Sequence, residues 1–346
     1  MENKERNINI DIVRCVAFLL VVSVHFFLWN GFYQMKMDNS EAFIMCIIRT
    51  ISMSCVPLFL MISGYLLSKK DFFPIDRKYL CKLVELLIIY LLCTAILIFF
   101  RKIILHEVMN FTDIIKNIVS FSQYSWYVAM YAGLYVLMPY LNLCWNNIDG
   151  REKKWLVIIL CFLSSATSLI NIKHTILPEI WTGIYPVMYY YLGACISEEQ
   201  GNIKIRGKAI FVLWMICAVL IGFINYIISG NDIFAMGAWN DWGALENIIL
   251  SILLFMFIIK LDMTGIKLEI RKFIEGTATL VYVAFMISYI SDIIAWKIFR
   301  DIIPVSKKIF IYVPAVMLSF ILSLVLSLVF NNIFKTIKKR LIKQGN

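Results

Sequence analysis

Ten apolar runs, each long enough to cross about 30 Å of hydrocarbon, follow one another along this chain. They lie at roughly 8–29, 41–67, 83–100, 125–145, 155–171, 181–197, 209–229, 243–260, 276–298 and 309–334. No other feature limits the fold so strongly. Runs of this length read as membrane-spanning helices, so the expected class is all-α, a polytopic transmembrane helical bundle of about ten spans. Of the 346 residues, 61% are hydrophobic and only 16% charged, and the mean hydropathy is +0.80. A soluble body of this size needs more charged surface than that. The loops are brief, the longest at 101–124, so a single membrane domain over 1–346 with no soluble domain is expected. The first run is expected to stay in the protein: Arg14 interrupts it, and no small-residue cleavage site follows.

The formal charge of +10 raises the question of nucleic acid, but the basic residues fall in short clusters between apolar runs rather than in one patch. That is how membrane proteins fix orientation, and no nucleic-acid partner is expected. With the N-terminus inside, a clear majority of Lys and Arg lies in segments on the cytoplasmic side, including Lys69, Lys70, Arg77, Lys78 and Lys82. Both termini are therefore expected in the cytoplasm of a multi-pass plasma-membrane protein. One outside loop opposes the bias, with Lys297, Arg300, Lys307 and Lys308. The nine cysteines form no C-x-x-C pair and no metal-ligand spacing with His, and no metal site is expected.

The first run carries Asp11, Arg14 and His25. At 100° per residue these fall within about 60° of one another, with Arg14 and His25 about 16 Å apart along the axis. Charge inside a bilayer is costly and usually faces the bundle interior. Asp11 as a plain structural partner for Arg14 remains an open alternative. Arg49 in the second run lies at about the depth of His25, and Glu85 in the third near the depth of Arg14. Two polar layers result.

Several segments in order resemble the acyltransferase family 3 membrane proteins, which O-acylate cell-surface sugars. They are NIDIVRCVAFLLVVSVHF at 9–26, VPLFLMISGYLLS at 56–68, RKYLCKLVELLIIY at 77–90 and SWYVAMYAGLYVLMP at 125–139. Two positions depart from the family pattern. Ser125 stands where relatives often have His before the Trp, and Phe285 stands where many carry a His in the penultimate helix.

The resemblance implies an O-acyltransferase, with acetyl transfer the expected case, acting on a surface polysaccharide or a lipid-linked glycan precursor. Acyl-CoA is the implied donor substrate, as acetyl-CoA, and no permanently bound cofactor is expected. His25, Arg14, Asp11 and Arg49 would be the catalytic set: His25 would serve as base, Arg14 would pair with the donor's phosphates three turns away, and Arg49 would polarise the thioester carbonyl or stabilise the oxyanion. Arg77, Lys78 and Lys82 would meet the donor's phosphates, with Ser63, Gly64, Tyr65 and Glu85 completing the donor site, unless the first three serve close helix packing and Glu85 is an interfacial acid. Without the resemblance, that basic cluster reads as ordinary positive-inside charge. Trp126, Tyr127 and Tyr135 would stack on the acceptor sugar, unless they are an interfacial aromatic belt. This reading requires Arg14 and His25 to open onto a shared cavity. A transporter of a small anionic or zwitterionic solute, or an acyl-binding scaffold without turnover, are the competing readings.

Overall fold

The computed structural model describes residues 6–119, 126–171, 176–202, 204–299 and 303–344. Its α-helices are α1 (Ile8–Trp29), α2 (Ser40–Ser52), α3 (Cys55–Leu67), α4 (Arg77–Ile103), α5 (Phe111–Val119), α6 (Trp126–Asn147), α7 (Gly150–Ile170), α8 (Tyr185–Glu199), α9 (Gly207–Ser229), α10 (Leu245–Ile259), α11 (Leu268–Phe299) and α12 (Ile309–Gln344). Among the described residues, nine helical segments are long and apolar enough to cross a membrane. The protein is an all-α polytopic bundle.

The sixth apolar run is the exception, because α8 has only 15 residues, or about 22 Å. A 3-10 segment, Glu179–Ile184, precedes it and adds about 12 Å at the larger rise of that helix. Together they match the thickness of a bilayer core. The second run is also broken, ending α2 at Ser52 and restarting as α3 at Cys55.

Local chemistry sets the helix ends. The Asn7 side chain accepts from the backbone N–H of Asn9 and Ile10 to open α1, and Asn39 accepts from Ala42 to open α2. Asp149 and Glu152 form a reciprocal capping box at the start of α7, satisfying amides that have no partner within the helix. Gly230, at φ 58, ends α9 in the left-handed conformation that glycine adopts without strain.

Side-chain bonds between loops show which helix ends lie together. At the end where the chain begins, Asn9 donates to the carbonyls of Ile259 and Leu261, and Tyr65 donates to Gln200. Asn142 donates there to Leu67 and Lys70. At the opposite end, Lys308 Nζ donates to the Asn30 carbonyl at 3.1 Å. Because α12 starts there and runs back antiparallel to α11, it returns to the end where α1 begins. Lys308 is buried at the carboxyl end of α1, where a cation complements the helix dipole. Its charge is held by the fold, and this accounts for part of the basic excess in the 297–308 loop.

The bundle core forms around α1, α3, α8, α10 and α11. The parallel pair α3 and α8 approach most closely through two glycines. A Cβ at Gly64 would sit 1.7 Å from the Tyr190 carbonyl oxygen, and one at Gly193 would sit 2.0 Å from that of Met61. Helices in lipid gain association energy from such close packing. Gly64 is therefore a packing residue, the second of the two readings its sequence position allowed, and its place in the donor site is corrected.

Candidate active site

Two cavities lie along the polar face of α1. The first, of about 490 Å3, is lined by Arg14 with Ser63 of α3, Glu85 and Leu86 of α4, Tyr127 and Tyr131 of α6, and Tyr282 and Phe285 of α11. The second, of about 380 Å3, is lined by Val21, Val24, His25, Leu28 and Trp29 of α1, Cys55 and Val56 of α3, Trp126, Trp242 and Phe285. Arg14 and His25 thus do not share one cavity, as the sequence reading required. They line two that abut, and Phe285 belongs to both walls.

The Arg14 cavity has a charged rim. Asp11 is fully buried and accepts from Arg14 Nη1 at 2.6 Å and from Arg6 Nε at 2.5 Å. The hydrogen bond to Asp11 holds the Arg6 guanidinium above its usual range. Spacing of three residues places Asp11 and Arg14 on one helix face, so this part of the site is built within the first turns of α1. Asp11 does not reach the His25 cavity. Its carboxylate neutralises one of two guanidinium groups, and the trio retains one positive charge. Ser63 donates to Tyr131 at 3.4 Å. Tyr127, Tyr131 and Tyr135 form a ladder of rings at successive helical turns of α6.

In the second cavity, His25 is held from another helix. Its Nδ1 lies 2.9 Å from Asp292 Oδ2 in the last third of α11, and both side chains are buried. The other Asp292 oxygen accepts from the Ser319 hydroxyl of α12. A carboxylate accepting at Nδ1 fixes the tautomer and leaves Nε2 as the basic nitrogen. Asp292 and Ser319 escaped the sequence reading. Asp292 carried a legible signal, an acid inside the ninth apolar run, whereas nothing in the sequence distinguished Ser319.

Several other expected site residues lie elsewhere. Arg49 lines neither cavity. Its guanidinium donates to the Asn240 carbonyl at 3.1 Å and to Tyr33 at 3.3 Å, and it sits 4.9 Å over the Phe234 ring. Its role beside a thioester is thereby corrected to one of joining α2 to the loop before α10. Arg77, Lys78 and Lys82 are exposed on the first turns of α4 and line neither cavity. Tyr65 is bound to Gln200 and packed on Phe255.

Tyr135 is also corrected. It stacks on Tyr79 at 4.5 Å, two turns beyond Tyr127 on α6 and away from Trp126. Pro139, inside α6, cannot donate to the carbonyl four residues earlier. That carbonyl belongs to Tyr135, and the Tyr79 hydroxyl donates to it. The tyrosine pair thus repairs a proline break. Trp126 and Tyr127 do reach the site, but on different sides: Trp126 lines the His25 cavity and Tyr127 the Arg14 cavity. Ser125 lies outside the described residues.

The model of acyltransferase family 3, described as an acyltransferase domain, matches residues 7–331, which is nearly the whole chain. The chain belongs to this family. It is a multi-pass membrane acyltransferase. No curated protein and no solved structure matched it.

Proposed function

We propose that the protein moves an acyl group, as acetyl, from acyl-CoA at the Arg14 cavity to a hydroxyl of a cell-surface polysaccharide or lipid-linked glycan at the His25 cavity. On this reading it lies in the plasma membrane with the Arg14 end in the cytoplasm. The observation that carries the proposal is the buried His25–Asp292 pair beside a cavity that abuts the one lined by Arg14. A neutral imidazole held by a carboxylate is suited to take a proton from a hydroxyl. The acceptor oxygen then bonds to the thioester carbon, the C–S bond breaks, and the leaving CoA thiolate takes the proton back from His25. Arg14 pairs with a donor phosphate. The basic first turns of α4 supply further charge at the same end, and Trp126 offers a ring face to the acceptor.

The test is incorporation of label from acetyl-CoA into the polysaccharide and glycolipid fractions of membranes containing the protein, read as label released by mild base. His25→Ala is expected to lower incorporation by about 10²–10⁴-fold, the usual contribution of a positioned base. Arg14→Ala is expected to raise the KM for acetyl-CoA. Base-labile incorporation that survives His25→Ala would overturn His25 as the base, and solute flux in proteoliposomes that is indifferent to His25→Ala, without incorporation, would overturn the proposal in favour of transport.

A further inference from the structure

Three helices pass from one cavity wall to the other within a single turn. On α3, Cys55 and Val56 line the His25 cavity, and Phe59 lines the Arg14 cavity. On α6, Trp126 belongs to the first of these and Tyr127 to the second. On α11, Phe285 belongs to both. The barrier between the two spaces is therefore about one side chain thick. At its centre the Phe285 ring meets the Tyr127 ring edge-to-face at 5.4 Å and 74°, the arrangement favoured between aromatic quadrupoles. Both residues are buried. The Phe285 side chain has no polar atom, so neither charge nor hydrogen bonding assigns the ring its place there, and what it contributes is volume and shape.

We infer that the Phe285 ring, braced by Tyr127, is the partition between the Arg14 and His25 cavities and sets which acyl groups reach His25. The inference rests on the proposed function for its chemical half only. An acyl group attached to a carrier in the Arg14 cavity meets His25 only where it passes this ring. A two-carbon group requires the ring to turn slightly. A longer chain requires it to leave its place against Tyr127. Phe285 is a positioning and specificity residue, and the bond-making steps are those of His25.

Two measurements separate the partition from the chemistry. Cys55 in the wall of the His25 cavity is buried, whereas Leu28 in the same wall is half exposed, so Leu28→Cys in the native and Phe285-variant backgrounds supplies a thiol that reagent can reach. In sealed membrane vesicles of each orientation, a membrane-impermeant methanethiosulfonate is applied from one face, and the peptide carrying position 28 is read by mass spectrometry. In the native background labelling is expected from the His25 face alone, and in Phe285→Ala from both faces, with at least a tenfold gain from the Arg14 face. Phe285→Leu is expected to give an intermediate gain and guards against a misfolded alanine variant, foldedness being checked by size-exclusion chromatography. A labelling pattern that is the same in native and variant proteins, whatever that pattern is, overturns the partition. The second measurement compares acetyl-CoA with hexanoyl-CoA as donor. The hexanoyl-to-acetyl ratio is expected to rise at least tenfold in Phe285→Ala and to fall in Phe285→Trp. An unchanged ratio overturns the specificity role. Absence of transfer in every form, with face-dependent labelling intact, counts against the proposed function and leaves the partition standing.

Discussion

Replacing Asp292 by Asn changes one group and leaves the shape of the site almost as it was. In the native protein each carboxylate oxygen has one partner, His25 Nδ1 on one side and the Ser319 hydroxyl on the other. The asparagine oxygen can keep one of these bonds, while its amide N–H₂ cannot accept from the other. A hydrogen bond to a charged group contributes about 1.5–3 kcal/mol. When His25 takes the acceptor's proton it becomes a cation beside Asp292, so that stabilisation is largest at the transition state. Losing it corresponds to a fall in kcat/KM of about 10- to 150-fold, with the KM for acyl-CoA unchanged because Asp292 does not line the Arg14 cavity. The assay is initial-rate acetyl transfer by the purified protein in lipid nanodiscs, with a thermal-unfolding control. Native kcat/KM in Asp292→Asn would refute the idea that this carboxylate orients the base. A raised KM with unchanged kcat would place Asp292 in donor binding instead.

Two further perturbations test assignments that the fold changed. Gly64→Ala and Gly193→Ala each drive a methyl into a backbone carbonyl across the α3–α8 contact. Each is expected to destabilise the protein by about 1–3 kcal/mol, read as a lower unfolding temperature in detergent, and a neutral result would mean that these helices can part freely. Arg49→Ala removes two hydrogen bonds and a ring contact from a buried site and is expected to cost about 2–4 kcal/mol of stability. The KM for acetyl-CoA should not move, and a large KM change with native stability would return Arg49 to the donor site.

Span count, class and the inward face of α1 were legible in the sequence because each rests on a simple period or length. Apolar runs reveal spans whatever their neighbours, and 100° per residue places Arg14 and His25 on one face without tertiary knowledge. The roles of Arg49 and Tyr135 were not legible, and that of Gly64 only as one of two choices, because each depends on what another helix brings opposite. Depth along the bundle axis placed Arg49 level with His25, yet depth is one coordinate of three, and the arginine faces the Asn240 loop. The sequence of α6 shows a proline that must orphan the Tyr135 carbonyl. It does not show that Tyr79, from α4, satisfies it. Glu85 is the reverse case: depth alone placed it with Arg14, and both line one cavity.

The two functional positions on α1, Arg14 and His25, differ in how they come to exist. Arg14 receives its carboxylate from Asp11, three residues earlier on the same helix, so that pair is assembled as soon as α1 forms. His25 receives its carboxylate from Asp292, 267 residues away in sequence, and Asp292 is in turn held by Ser319. The base is therefore complete only when α1, α11 and α12 have docked together. A further bond from Ser327 to the Leu280 carbonyl holds α11 to α12 lower in the bundle. Leu280 is flanked by Val281 and Tyr282 in the wall of the Arg14 cavity, so loosening that contact disturbs the donor side as well as Asp292. The asymmetry lies in the ion pairs: loss of the α11–α12 contact frees Asp292 from its place beside His25, while the Asp11–Arg14 pair persists as long as α1 does.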